Sequence, residues 1–471
     1  MTIALNRISN ANNLSNEDDK MFYRWLCSFI VVFIFIFTCG CTPFTTSWQK
    51  TTNSSSASTT TNLEEDIEIE PNLQIISAQV GLLMSGVAGT QDGAYELRSY
   101  YDGTADIIYY DYKTQQAVFL SPNPNVQHDE SSTAFIPTTL GGVFPAASDD
   151  KFFAIKMGSP EMVQRNGKAG IPMIYQMDLS GANRITYTFP EKYIIDVQSA
   201  IAYGNENLYL MALSYDLESH AVAYNTLIRV NANKGECVEL YKFGADQMVT
   251  IEGTYKNCLV VHIVTSPDNV SDLSSKETFL QRTHEICLLP VNPSQPKESI
   301  FKWKQPEASV LFYNGKVYVL PQTNLSVYSI DIVSKEKQII CEEIFAEGFV
   351  VNSAGFFDEG RDNHLFLRLY DSGHNNAQAV TLDLNTQQFS PLKLYYEEYG
   401  AQQLVGIFAE SENEFLVCTG KDSMQIEFKS PDGTPESGEM NYFIYKLIAK
   451  KDYWAGIPQY KEFENNTLAN S

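Results

Sequence analysis

Very little in these 471 residues looks helical, basic or catalytic. Beyond one N-terminal stretch, no segment keeps apolar residues at 3.6 spacing for more than a turn or two, which excludes a helical bundle. Basic residues are outnumbered, 33 against 57 acidic, for a net charge of −24. A chain so acidic is repelled by phosphate backbones, so nucleic acid is excluded as a partner, as is direct electrostatic binding to anionic lipid. There is no G-x-S-x-G elbow, no H-E-x-x-H, no G-x-x-x-x-G-K-[ST], and no G-x-G-x-x-G after a strand. Eight cysteines are present, none at C-x-x-C spacing. The five beyond residue 41 (Cys237, Cys258, Cys287, Cys341 and Cys418) lie in or beside apolar runs such as "NCLVVHIV" and read as small buried hydrophobes. No cofactor and no metal site is expected.

What is present begins with "MFYRWLCSFIVVFIFIFTCGC". Arg24 precedes an apolar run from Leu26 to Phe37, too short for a spanning helix and of signal-peptide length. The run ends on small residues before a cysteine and resembles a bacterial lipoprotein signal. The resemblance implies cleavage before Cys41 and attachment of a diacylglyceryl group to its thiol. Cys41 is preferred to Cys39 because Gly40 precedes it directly, whereas Cys39 would have Phe37 two residues before it. The usual Leu three residues ahead of the cysteine is Thr38 here. Residues 1–20 have no signal character, which points to Met21 as the true start. The expected division is a signal peptide over 1–40, then a tether over 41–71, Ser/Thr-rich and then acidic ("LEEDIEIEP"), whose composition is that of a flexible chain. A folded body over 72–462 and a polar tail over 463–471 complete it.

The body repeats itself. "IIYYDYKTQQAVFL" from Ile107, "MIYQMDLSGANRIT" from Met173, "NTLIRVNANKGECVEL" from Asn225, "LSVYSIDIVSKEKQII" from Leu325 and "AVTLDLNTQQFSPL" from Ala379 share one pattern. Each is an alternating strand, an Asp or Asn, a polar turn and a returning strand, the signature of a hairpin. Asp111, Asp178, Asn231, Asp331 and Asp383 hold equivalent places, where a short side chain can bond to the turn's own backbone. Each copy has a second hairpin upstream, such as "AIAYGNENLYLMAL" or "SVLFYNGKVYVL". Paired hairpins recurring every 50–55 or so residues make an all-β chain. The expected fold is a β-propeller of four-stranded antiparallel blades, with seven favoured and six or eight open.

The turns resemble those of TolB-type propellers. The opening stretch, "YYDGTADIIYYDYKTQQAVFLSPNPNVQHDESSTAFI", resembles the first blade of a lipoprotein propeller family of Gram-positive anaerobic bacteria. That family follows this strand pair with Leu-Cys-x-x-Pro-x-Cys-x-His, an acidic stretch and Cys-Thr-Ala-Tyr. Pro124, His128, Asp129, Thr133 and Ala134 match the pattern, while Ser121, Val126 and Ser132 stand where it has cysteines. A lone histidine does not hold zinc, so this segment reads as a crossover loop into the second blade. "SPDGT" at Ser430 reads as a plain turn, and His262 as a satisfied core residue. His220, His284 and His374 fall in long insertions; Tyr224 and Trp454 are loop aromatics that could bind a ligand.

Two functions from different classes follow. One is a monomeric lipoprotein on the extracytoplasmic face of the cell membrane, whose propeller is a non-catalytic binding or scaffold module for a peptide, glycan or envelope protein. The other is an extracellular hydrolase or lyase cleaving polysaccharide or peptide. Fold alone does not choose; the missing catalytic signatures favour binding.

Overall fold

The computed structural model describes residues 73–77, 86–123, 131–218, 221–267, 276–305, 307–322, 326–342, 355–370, 377–398, 400–429 and 434–467. The chain divides into two compact units: residues 1–65 with 267–281, and residues 66–266 with 282–471. In the first, the described residues hold one short helix, Lys276–Leu280. The expectations for Met21, Cys39, Cys41, the tether, Pro124, Val126, His128, Asp129, His220, His374 and the turn at Ser430 fall outside the described residues.

The second unit is built from antiparallel sheets whose four principal strands follow one another in chain order. Sheet I holds Val87–Gly89, Gly93–Ser99, Ala105–Asp111 and Gln116–Phe119; sheet II holds Val143–Ala147, Lys151–Lys156, Met173–Asp178 and Ile185–Thr188. Sheet III runs through Ile201–Gly204, Asn207–Asp216, Ala221–Asn231 and Cys237–Phe243. Sheet IV takes Gln247–Tyr255, Cys258–Thr265, Thr283–Pro290 and Glu298–Lys304. Sheet V takes Ala308–Tyr313, Lys316–Pro321, Val327–Asp331 and Lys337–Cys341, and sheet VI Gly355–Arg361, His364–Tyr370, Ala377–Asp383 and Gln388–Pro391. Sheet VII comprises Ile407–Glu410, Glu414–Lys429, Pro435–Ala449 and Tyr460–Glu462. Between VI and VII lies a two-stranded hairpin, Tyr395–Glu398 with Ala401–Leu404.

Alternation along the strands explains how the sheets stack. In sheet I, Ile107 packs with Phe152 and Met177 of sheet II, while its neighbour Ile108 points the other way, to Leu416 and Leu447 of sheet VII. Adjacent residues of one strand thus feed two different cores, as period-2 geometry requires. Further cores fill II against III, III against IV, IV against V, V against VI and VI against VII. Each sheet is apolar on both faces and the order closes on itself, a β-propeller in which stacking covers every face. Where the innermost strand of sheet IV meets sheet V, Gly253 leaves no room: a Cβ there would lie 2.2 Å from the Phe312 ring.

The repeated Asp/Asn does what its position predicts. The carboxylates of Asp111, Asp331 and Asp383 and the amide oxygen of Asn231 each accept from backbone N–H groups two and three residues on. The residue four places on has positive φ: Gln115, Gly235, Lys335 and Gln387. Asp178 departs from the pattern and binds Lys151 at 2.6 Å and Asn183 at 2.6 Å instead.

Two short segments from outside the repeat complete the unit. Residues 463–467, which the sequence reading placed in the polar tail, cross from sheet VII to sheet I. Glu464–Asn465 pairs in parallel with Gln116–Phe119, the outermost strand of sheet I. At the other end of the chain, Gln74–Ser77 pairs antiparallel with Ile201–Gly204, the innermost strand of sheet III.

Candidate functional site

Because every sheet runs as a meander, turns between first and second strands and between third and fourth strands lie at one end. This turn end is stitched by a recurring bond. The amide that follows the third strand donates to a carbonyl of the first turn: Tyr112 to Asp92, Ala232 to Glu206, Val291 to Asn257, Ile332 to Gly315, Leu384 to Asn363 and Lys450 to Asn413. Neighbouring sheets join there too: Glu412 N–H donates to Gln91 at 2.7 Å, and Lys450 bridges Glu410 at 2.6 Å and Asp362 at 3.4 Å. Among the described residues, the turns between second and third strands lie at the opposite, insertion end, where the 157–172 connection of sheet II also exits.

The insertion end carries a distinctive projection. Glu414–Lys429 and Pro435–Ala449 pair from Glu414↔Ala449 to Lys429↔Pro435, with one register shift between Cys418 and Gly420, while the fourth strand accompanies only Lys446–Ile448. A ribbon therefore runs on past the sheet as far as Lys429 and Pro435. It is braced on one side by Lys421 on Glu398 at 2.9 Å, and on the other by the Tyr101 hydroxyl donating to the Glu439 carbonyl at 2.7 Å. On sheet II, the buried Lys156 ammonium donates to the carbonyls of Ala169 and, at 3.0 Å, Ile171, pinning the 157–172 insertion. Burial lowers its pKa to about 8.

The axis is where a propeller would ordinarily receive a ligand, and here the chain's own strand lies in it. The edge of Ile201–Gly204 turned away from its sheet pairs with Gln74, Ile75 and Ser77. The same segment packs against the innermost strands of sheets II and IV, and the Thr254 hydroxyl donates to the Leu73 carbonyl at 2.9 Å. Leu73 and Ile76 are buried, in the III–IV and II–III cores respectively. A pocket of about 130 Å³ lies beside the strand at the turn end, lined by Thr90, Gln91, Ser148, Asp149 and Glu410 among others. Pockets for drug-sized ligands hold about 300–1,000 Å³.

A second cluster sits on sheet IV. His262 Nε2 and His284 Nδ1 share a hydrogen bond of 2.9 Å, and both rings stack with the Trp303 indole at centroid distances of 5.2 and 4.8 Å. Glu252 Oε1 lies 3.8 Å from His262 Nδ1 and accepts from the Thr250 hydroxyl at 2.7 Å. Burial drives the histidines down, to about 4 for His262 and about 3 for His284, and pushes the Glu252 carboxyl up. At neutral pH this is an uncharged imidazole pair, each nitrogen of the shared bond committed to the other. Among the described residues no group of three or more His, Cys, Asp or Glu side chains is placed to hold a metal ion.

The structure relocates several residues singled out from sequence. His284 lies in strand Thr283–Pro290 rather than in an insertion. Its pairing with His262 was hidden because a long connection separates the two strands and conceals their register. Tyr224 lies in Ala221–Asn231 and donates to Glu239 at 2.8 Å, so it is a strand residue in an ion-pair network. Trp454 is on a short helix, Lys450–Ala455, stacked on His364 at 3.7 Å with its indole N–H donating to Asp362 at 2.7 Å. Neither ring lies in a loop, and both are engaged by neighbouring side chains. Ser132 is buried and accepts from the Ala134 N–H at 3.2 Å, an ordinary turn. Burial raises the thiol pKa values of Cys237 to about 11 and Cys287 to about 12, as expected of inert side chains.

One carboxylate carries a testable electrostatic cost. Asp196, in the connection between sheets II and III, accepts from the Gln198 N–H at 2.9 Å, and burial raises its pKa to about 6. The folded value exceeds the unfolded one, so this group's contribution is fully present below pH 4 and is lost as pH rises through 6. Asp196→Asn keeps the acceptor and removes the charge. It is expected to stabilise the fold by about 1–2 kcal/mol at pH 7.5, discounted for partial solvent contact, and by nothing at pH 4. Urea titrations at the two pH values check this; an equal effect at both would locate the cause outside the charge.

No family model matches this chain, and no curated protein does. Solved structures do. The chain is similar to one of two prolyl endopeptidases studied for inter-domain dynamics, at 10% identity and a TM-score of 0.43, covering 81% of this chain and 55% of that one. It is similar to the β-propeller domain of the Trilobed protease from Pyrococcus furiosus, described as of open velcro topology, at 9% identity and a TM-score of 0.41, covering 83% and 96%. It is also similar to TolB from Acinetobacter baumannii, at 13% identity and a TM-score of 0.31, covering 74% and 78%. The β-propeller architecture of this chain rests on its own sheets and the cores between them.

Proposed function

We propose that this protein is a lipoprotein anchored through Cys41 on the extracytoplasmic face of the cell membrane. Its propeller is a non-catalytic binding or scaffold module for a peptide, glycan or envelope protein. The observation that carries this reading is the strand in the axis. Gln74–Ser77 is hydrogen-bonded there to the free edge of the innermost strand of sheet III, an edge that an incoming ligand would otherwise meet. His262 Nε2 and His284 Nδ1 are bonded to each other, which commits one nitrogen of each ring, and burial lowers both pKa values. The insertion end, with its ribbon and the 157–172 connection, supplies the large surface that recognition needs.

The test is to titrate the purified protein against peptide and glycan arrays and to incubate every hit for hours before mass spectrometry. Saturable binding with the ligand recovered intact supports the proposal. New reducing ends, unsaturated sugars or free amines accumulating with time overturn it in favour of a hydrolase or lyase.

A further inference from the structure

We infer that the cleft between the ribbon and the 395–404 hairpin is a binding site for a neutral sugar ring, one pyranose unit of a glycan. This rests on the binding reading above and deepens it, and is independent of the anchor. A pocket of about 210 Å³ lies in the cleft, lined by Glu398, Lys421, Asn441, Tyr442 and Phe443. Three strands supply the lining: Glu398 comes from the hairpin, Lys421 from one ribbon strand and the other three residues from its partner. The ribbon register sets Lys421 opposite Phe443 and Asp422 opposite Tyr442. The Lys421 ammonium then reaches across the cleft to Glu398 at 2.9 Å.

The hydrogen-bonding capacity left in this lining matches a diol. Glu398 Oε1 takes the Lys421 ammonium, and Oε2 accepts from the Tyr396 hydroxyl at 3.4 Å. An ionised carboxylate offers about four lone-pair sites and an ammonium three donors, so each end of the pair retains places for a further partner. Two neighbouring sugar hydroxyls, each both donor and acceptor, can bridge Glu398 and Lys421 without separating them. The exposed Asn441 amide adds donors and an acceptor beside them. Tyr442 supplies the wall for the C–H face of a ring. Its hydroxyl is held by Asp422 at 3.2 Å and the Arg98 guanidinium lies 5.7 Å from its ring centre, so the platform is already ordered before a ligand arrives.

Charge and size narrow the class. The lining contains one carboxylate and one ammonium, already paired, so it presents no net charge to a uronic acid or a sugar phosphate. The whole chain, at −24, repels such anions further. A zwitterionic peptide terminus would have to break the 2.9 Å pair to use both charges. The volume is below the roughly 300–1,000 Å³ of drug-sized sites, which suits one ring rather than a buried chain.

The full-length protein would be titrated by ligand-observed NMR with the methyl glycosides of glucose, galactose, mannose and N-acetylglucosamine, and with methyl glucuronide as the acidic counterpart. Saturable binding of at least one neutral glycoside, tighter than that of the glucuronide, is expected. Asn441→Ala and Tyr442→Leu should each weaken it about five- to tenfold, whereas Tyr442→Phe should stay within about twofold. Glu398→Gln leaves Lys421 without its counter-charge and should turn the preference towards the glucuronide. Urea transitions establish that each variant is folded, and Asn441→Ala, at an exposed position, carries the test if the Tyr442 variants are not. Binding that is equal in all variants, a preference for the glucuronide in the unaltered protein, or no binding of any neutral glycoside overturns the site. If peptides from the array still bind and are recovered intact, the broader binding reading stands without it. Cleavage of the bound glycan overturns both.

Discussion

Truncation after Glu462 is expected to destabilise the propeller by about 3–5 kcal/mol, read as a lower urea midpoint. Residues 463–467 close the joint between sheets VII and I. The Phe463 ring packs edge-on against Tyr110 at 5.2 Å and against Tyr112 at 6.5 Å. The Glu464 and Asn466 amides donate to Gln115 and Ala117 carbonyls at 2.8 and 3.1 Å. Deeper in, the Thr467 hydroxyl accepts from Arg98 at 3.0 Å, beside a buried Arg98–Glu96 pair at 3.2 Å that the Tyr110 hydroxyl also joins. Removing the segment strips an aromatic from a core and leaves a buried guanidinium short of a partner, two losses of the expensive kind. Phe463→Leu and Thr467→Val should each recover part of the effect and place it. A truncated chain melting with the intact one would show that sheets VII and I hold together without this segment.

How much of this was legible in the sequence follows from how local each feature is. The turn built on Asp111, Asn231, Asp331 or Asp383 is specified within five residues, so its recurrence is visible by eye and sets the period of the fold. The alternation that sends Ile107 and Ile108 to different cores is equally local. By contrast, "QIIS" at Gln74 has four residues and no hairpin partner; its partner strand begins at Ile201, far beyond any pattern window. Glu464–Asn465 is two residues long and polar, which is why it reads as tail. His262 and His284 sit on one face only because Val264 pairs with His284 and Thr250 with His262, a register that the 266–282 connection conceals. What escaped was in each case a pairing of distant segments, and those pairings are what occupy the axis and lock the ring.

The axial strand makes the second large prediction. Ile76 is 6% exposed in the core between sheets II and III, beside Phe153, Ile201 and Tyr203. It sits where the register with Ile201–Gly204 shifts, so an irregularity in the strand turns its side chain into that core. Ile76→Ala should cost about 2–4 kcal/mol. Ile76→Asp should cost more at neutral pH than at pH 4, because the carboxyl has no partner in that core and must ionise at a penalty or stay protonated. Gln74→Ala, at a half-buried position bordering the pocket, should cost under about 0.5 kcal/mol. Were the segment merely laid on the surface, all three substitutions would cost about the same small amount, and the pH dependence of Ile76→Asp would vanish. The predicted ordering, Asp above Ala at position 76 and both well above Ala at position 74, is what a strand threaded through the ring requires. It also separates the two roles of the segment: a filled core at Ile76, and a backbone edge that keeps the axis closed.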